Sequence, residues 1–125
     1  MVTMHLNKPA YTLRNNTRYA LKGLGEIIRN ESSFRLQLLL FVAASVVVWT
    51  LDLSRVQQAV LFVSLFLPIV SEIINSAIER CVDLYTTEHH ELAGRAKDAG
   101  AALVFVSFVI VAIVWALVFY CAYAE

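Results

Sequence analysis

Three long apolar runs, separated by short polar segments, dominate the pattern of this 125-residue chain. They cover about residues 34–51, 56–84 and 99–124. A helix rises 1.5 Å per residue, so each run is roughly long enough to cross a bilayer core of about 30 Å. The pattern therefore predicts an all-α membrane protein with three transmembrane helices.

Two polar segments frame these runs. About residues 11–30 mix an apolar stripe with several cations, which is typical of an amphipathic helix lying on an anionic leaflet. A frayed polar tail is the alternative for this segment. Residues 85–98 are predicted to be a loop between the second and third membrane helices. The whole chain, residues 1–125, is predicted to form a single membrane domain.

Composition and charge agree with a membrane location. Hydrophobic residues make up 59% of the chain and charged residues 16%, against about 45–50% and about 25% in soluble domains. The net charge is zero, so the basic field that nucleic-acid binding requires is absent. Nine of the ten Lys and Arg residues lie within the first 35 residues or within residues 80–98. This asymmetry predicts that both segments, and the amino terminus, are cytoplasmic. We expect no signal peptide, because the start of the chain is polar.

The second apolar run carries an acidic face. Glu72, Asn75, Glu79 and Asp83 fall within an arc of about 80° at 100° per residue. A carboxylate at the depth of Glu72 costs roughly 2.5–3.5 kcal/mol, which favours a partner or a chemical role. An interhelical ion pair, such as Glu79 with Arg35, is the structural alternative. Otherwise the excess of acid favours Mg²⁺, which prefers oxygen ligands and binds phosphates.

Two further polar clusters flank this face. Residues 88–98 contain Arg95 and Lys97, which are suited to phosphate, although a solvated charged surface is equally compatible. The adjacent histidines of this segment point apart on a helix, which disfavours a zinc site. Glu31 is expected at the membrane depth of Glu79, so that the two carboxylates could hold one metal ion. Helix capping is the alternative role for the Glu31 segment.

These clusters together resemble a known family. NESSFR (30–35), SEIINSAIERCVD (71–83) and EHHELAGRAKDAG (88–100) resemble bacterial diacylglycerol kinases in order and spacing. The resemblance runs from about Tyr19 to the end of the third helix. It implies a homotrimer in the bacterial inner membrane, with active sites between subunits. It also implies phosphorylation of diacylglycerol by ATP and Mg²⁺, which gives phosphatidic acid.

The resemblance also implies roles for individual residues. Glu72 matches the catalytic base, and Glu31 and Glu79 match the metal-binding glutamates. The positions matching nucleotide contacts are Tyr19, Glu31, Glu79, Glu88, His89, His90, Lys97 and Asp98. The positions matching the lipid site are Phe34, Arg35, Glu72, Asn75, Trp115 and Tyr120.

The chain departs from the family pattern at three positions. Thr12 stands where the family often has arginine, Gln37 where it has glutamate, and Ala101 where it has serine. Two other functions stay open. A related kinase could use undecaprenol as its acceptor, and a small ion-conducting oligomer could use Glu72 as a relay.

Overall fold

The described residues, 12–124, form helices joined by short connections, with no strand among them. The computed structural model contains α1 (Leu13–Asn30), α2 (Ser32–Thr50), α3 (Arg55–Ser64), α4 (Phe66–Tyr85) and α5 (Glu91–Tyr123). Three segments are long and apolar enough to cross a membrane: Ser32–Thr50, Arg55–Tyr85 and Glu91–Tyr123. The predicted all-α architecture with three spans is confirmed.

A single extended residue separates α1 from α2. Thr12 caps the start of α1, where its Oγ1 accepts a hydrogen bond from the Asn15 amide at 3.2 Å. Glu31 then adopts an extended conformation, with φ −117° and ψ 112°, and α2 begins at the next residue. This break ends α1 and places the Glu31 side chain at the junction of the two helices. The membrane-surface position of α1 stays a prediction, and Tyr11, at its predicted start, lies outside the described residues.

The second span is interrupted at Leu65, between α3 and α4. The cause lies three residues further on, because Pro68 has no N–H to donate to the carbonyl of Ser64. At its other end the span begins with a capping box, in which the side chains and backbone amides of Ser54 and Gln57 are reciprocally bonded.

The predicted loop at residues 85–98 is largely wrong. Only Thr86–His90 connects the two helices, because α5 begins at Glu91. The segment that follows is polar but consists mainly of strong helix formers, Glu, Leu, Ala, Arg and Lys. Glu91 also places a negative charge in the first turn, where it complements the helix dipole. The third apolar helix thus begins with a polar segment that precedes its apolar stretch.

Small and polar residues mediate the contact between α4 and α5. The Ser71 and Ser107 hydroxyls lie 2.9 Å apart and are both buried. Gly100 faces Asn75 so closely that a Cβ atom at that position would lie 2.2 Å from the Asn75 Oδ1 atom. Close approach through small residues is characteristic of helix packing in membranes. These contacts fix the register of the two antiparallel helices.

Candidate functional site

The polar side chains gather at one end of the helical bundle. At the opposite end, the Tyr123 hydroxyl donates to the carbonyl of Asp52 at 3.3 Å, which places the end of α5 beside the turn between α2 and α3. The acidic face of α4, the end of α1 and the start of α5 all lie at the other end. All the described cations except Arg55 belong to segments at that charged end.

Glu72 is buried at the inner edge of this charged end, with 7% of its surface exposed. The Ser33 hydroxyl donates to Oε1 at 3.0 Å, and the Gln37 amide donates to Oε2 at 3.0 Å. Ser33 and Gln37 are four residues apart on α2 and therefore share one helix face. Both oxygens of the carboxylate thus accept a hydrogen bond from a neutral donor of α2. Among the described residues, no cation forms an ion pair with Glu72.

Glu31 is held one turn further out. One of its oxygens accepts a hydrogen bond from buried Ser76, and the other pairs with the Arg80 guanidinium at 2.8 Å. Arg80 also pairs with Glu26 on α1, so it joins the end of that helix to α4. The hydrogen bond from Arg80 lowers the pKa of Glu26 below its ordinary value. The alternative pair of Glu79 with Arg35 does not form, because the structure directs the Arg35 guanidinium elsewhere.

Arg35 instead caps α1, where it donates to the carbonyls of Ile28 and Arg29 at 3.1 and 2.8 Å. Asn75 lies next to Glu79, and its Nδ2 donates to a Glu79 oxygen over a long 3.4 Å. The Asn75 Oδ1 atom is buried and has no hydrogen-bond partner among residues 12–124. The side chain is thus oriented by the Glu79 carboxylate and confined by α5.

Glu31 and Glu79 offer carboxylate oxygens, the type of ligand that Mg²⁺ prefers. Glu31 contacts Ser76 and Arg80, which bracket Glu79 along α4, so the two carboxylates lie at the same depth. No three metal-ligating side chains converge within the described part of the chain. Mg²⁺ commonly uses only one or two carboxylates and completes its shell with waters and substrate phosphates.

A small open cleft lies outside the carboxylates, between the end of α4 and the start of α5. It has a volume of about 180 Å³, and Lys97 reaches across it to Asp83 at 2.6 Å. The cleft brings together four of the residues expected to contact nucleotide: Glu88, His89, His90 and Lys97. Two others lie elsewhere in this chain. Asp98 is exposed outside the cleft lining, and Tyr19 lies on α1, with the Arg18 guanidinium 5.6 Å from its ring centroid.

The residues expected at the lipid site are scattered. Phe34 is fully buried within the chain. Trp115 donates to the Ser64 hydroxyl at 3.1 Å, and Ser64 precedes Glu72 by eight residues, or about 12 Å of helix. Tyr120 lies still nearer the opposite end and is 71% exposed. The structure therefore does not bring Trp115 and Tyr120 to the carboxylate of Glu72.

The sequence pattern does not reveal the roles of four contributors to this site, namely Ser33, Gln37, Glu26 and Arg80. The spacing of Ser33 and Gln37, on one face of an apolar helix, was the available signal. Nothing in the sequence tied either residue to Glu72, which lies 39 and 35 residues away.

The chain is similar to known proteins over most of its length. Residues 18–119 match the family model for prokaryotic diacylglycerol kinase. A diacylglycerol kinase from Haemophilus influenzae is 40% identical over 82% of this chain and 87% of its own length. The Escherichia coli K12 diacylglycerol kinase is 38% identical over 79% and 81%, and a Bacillus subtilis undecaprenol kinase is 35% identical over 81% and 82%. The chain therefore belongs to the prokaryotic diacylglycerol kinase family.

Proposed function

We propose that this protein transfers the γ-phosphoryl group of ATP to the free hydroxyl of diacylglycerol and forms phosphatidic acid. Family membership and the three membrane spans support this reaction. The observation that carries it is the Glu72 carboxylate, which is buried among apolar helices yet bonded at both oxygens to neutral donors. Its remaining lone pairs are free to accept a proton from an alcohol.

Glu72 acts in this reaction as the general base. It accepts the hydroxyl proton while the alcohol oxygen forms a bond to the γ-phosphorus. The bond from the γ-phosphorus to the β,γ-bridging oxygen breaks, and its electron pair leaves with ADP. Asn75, next to Glu79, orients the groups around the phosphate. The protein thereby contributes positioning and charge stabilisation, as in other phosphoryl transfers.

Glu31 and Glu79 would hold Mg²⁺, which supplies neutralising positive charge at the phosphates when bound. The cleft residues Glu88, His89, His90 and Lys97 would contact the nucleotide. This cleft, about 180 Å³, is smaller than the roughly 300–1,000 Å³ of typical ligand pockets. The family resemblance implies a homotrimer with sites between subunits, in which a second copy of the chain would complete this cleft. Tyr19 and Asp98 would then meet the nucleotide at that subunit boundary.

The orientation follows from the distribution of charge. The described cations are concentrated at the end that carries Glu31 and Lys97, and Arg55 lies at the opposite end. Short positively charged segments stay on the cytoplasmic side of a membrane. We therefore propose that the protein spans the bacterial inner membrane, with the site and the amino terminus both on the cytoplasmic side.

Undecaprenol is a second candidate acceptor, because one relative is an undecaprenol kinase. The purified protein in detergent micelles is supplied with Mg²⁺, ATP labelled at the γ-phosphate, and either diacylglycerol, undecaprenol or no lipid. Chromatography of the products should reveal labelled phosphatidic acid. Labelled product from undecaprenol alone would identify undecaprenol as the acceptor instead. If neither lipid is labelled or stimulates ATP consumption, the kinase proposal fails and ion conduction becomes the alternative to test.

A further inference from the structure

The hydrogen bonds around Glu72 assign a further role within the proposed reaction. We propose that Gln37, together with Ser33, is a positioning residue that fixes the Glu72 carboxylate for proton transfer. This inference rests on the proposed function, in which Glu72 is the base.

The first argument is geometric. Gln37 donates from Nε2 to one Glu72 oxygen and Ser33 donates from Oγ to the other, both at 3.0 Å. Two donors on different oxygens restrict rotation of the carboxylate about its terminal bond. The donors belong to a rigid helix, α2, so the plane of the carboxylate is fixed relative to the bundle. A base held in one orientation presents the same lone pairs to every incoming alcohol.

The second argument comes from the charges near Glu72. Arg80 is engaged by Glu26 and Glu31, and Lys97 by Asp83. The Arg35 guanidinium is directed to backbone carbonyls of α1. Glu79, on the same face of α4, is itself negative. The buried carboxylate of Glu72 therefore relies on the two neutral donors of α2.

The third argument is that Gln37 is a poor choice for stability alone. Its Oε1 atom is buried and has no hydrogen-bond partner among the described residues. Turning the amide over would place Oε1 against a carboxylate oxygen, so the observed orientation is the only one that bonds to Glu72. A residue selected for packing would avoid this unpaired acceptor. The hydrogen bond from Gln37 Nε2 to Glu72 therefore accounts for an amide at this position.

The amide also differs in kind from a carboxylic acid at this position. A glutamate side chain donates a hydrogen bond only while it carries a proton, whereas an amide always has N–H donors. Gln37 thus holds Glu72 by an N–H hydrogen bond, in which no proton is shared between two carboxyl groups. In this chain the base and its support are separate groups.

The test compares Gln37→Leu and Ser33→Ala with the unaltered protein, in steady-state assays that vary ATP and diacylglycerol separately. Each substitution should lower kcat by roughly tenfold, the effect expected for losing one hydrogen bond to a charged group, and should leave both KM values within about twofold. The double variant should lose more than either single variant. Ser45→Ala is the matched control on α2, because that hydroxyl donates only to the Phe41 carbonyl of its own helix. It should retain full activity.

Three results decide the matter. A Gln37→Leu protein with kcat within twofold of the original overturns the inference, provided that the original protein is active. A loss of kcat that is matched by a fall in thermal stability and a rise in both KM values assigns Gln37 to folding instead, and also overturns it. An original protein that phosphorylates no lipid contradicts the proposed function, and this outcome is read before any variant is compared.

Discussion

Gly100→Ala is a stringent perturbation of the candidate site, because it acts from a different helix without altering any chemical group there. The added Cβ would lie 2.2 Å from the Asn75 Oδ1 atom and 3.3 Å from its Cγ atom. Such a contact is not tolerated, so either the Asn75 side chain must turn away or α5 must move off α4. Turning the side chain breaks its hydrogen bond to Glu79, which at 3.4 Å is already long. The easier response is therefore the one that disturbs the site.

The stability change should be small because two effects oppose each other. Overpacking a helix contact costs about 1–3 kcal/mol, while replacing glycine by alanine inside a helix contributes about 1 kcal/mol. The net loss is then about 0–2 kcal/mol. Activity should respond more strongly, since a displacement of about 1 Å among positioning groups can reduce the rate by up to about a hundredfold. We expect kcat to fall at least tenfold in a protein that still folds.

The assay measures kcat and thermal unfolding in the same detergent. Gly23→Ala is the matched control, because a Cβ atom there meets nothing within 4 Å. It should leave kcat unchanged and alter the free energy of unfolding by no more than about 1 kcal/mol. The double variant Gly100→Ala with Asn75→Ala should regain stability without regaining activity. A Gly100→Ala protein with full activity would refute the assignment of Asn75 to the site.

The remaining predictions test separate contacts. Glu79→Gln should raise the Mg²⁺ concentration for half-maximal activity. Arg80→Ala, which frees a Glu31 oxygen, should lower that concentration. The same change in Mg²⁺ requirement for both variants would contradict the metal assignment. Arg80→Ala should also change thermal unfolding only slightly, since the Arg80–Glu26 pair is about half exposed. Lys97→Met should raise the KM for ATP and leave that for diacylglycerol unchanged. Ser107→Ala removes the hydrogen bond between Ser71 and Ser107. It should lower the free energy of unfolding by only roughly 0.6 kcal/mol, because part of the bonding of Ser107 is to the Val104 carbonyl of its own helix.

The spans and the acidic face follow from local sequence pattern. Hydrophobic length predicted the three membrane helices, and helical periodicity placed Glu72, Asn75 and Glu79 on one face. Both properties depend only on residues near each other in the chain. The density of charge predicts a loop up to residue 98, but α5 begins at Glu91 because residues 91–98 have strong helix propensity.

The support around the site depends on how helices pack, which periodicity does not reveal. The bond from Gln37 to Glu72 requires the register of α2 against α4, and the role of Arg80 requires the turn at Glu31. The expected position of Trp115 shows the same difficulty. Its bond to Ser64 places it about 12 Å of helix from Glu72, which only the antiparallel register of α5 determines.

The central claim is that the buried carboxylate of Glu72 removes the proton from a lipid alcohol. Glu72→Gln keeps the size of the side chain and abolishes its capacity as a base. Transfer of labelled phosphate to diacylglycerol should fall at least a thousandfold, roughly the contribution of a general base, in a protein with normal thermal unfolding. A folded Glu72→Gln protein that phosphorylates diacylglycerol at a rate near that of the original would contradict the account.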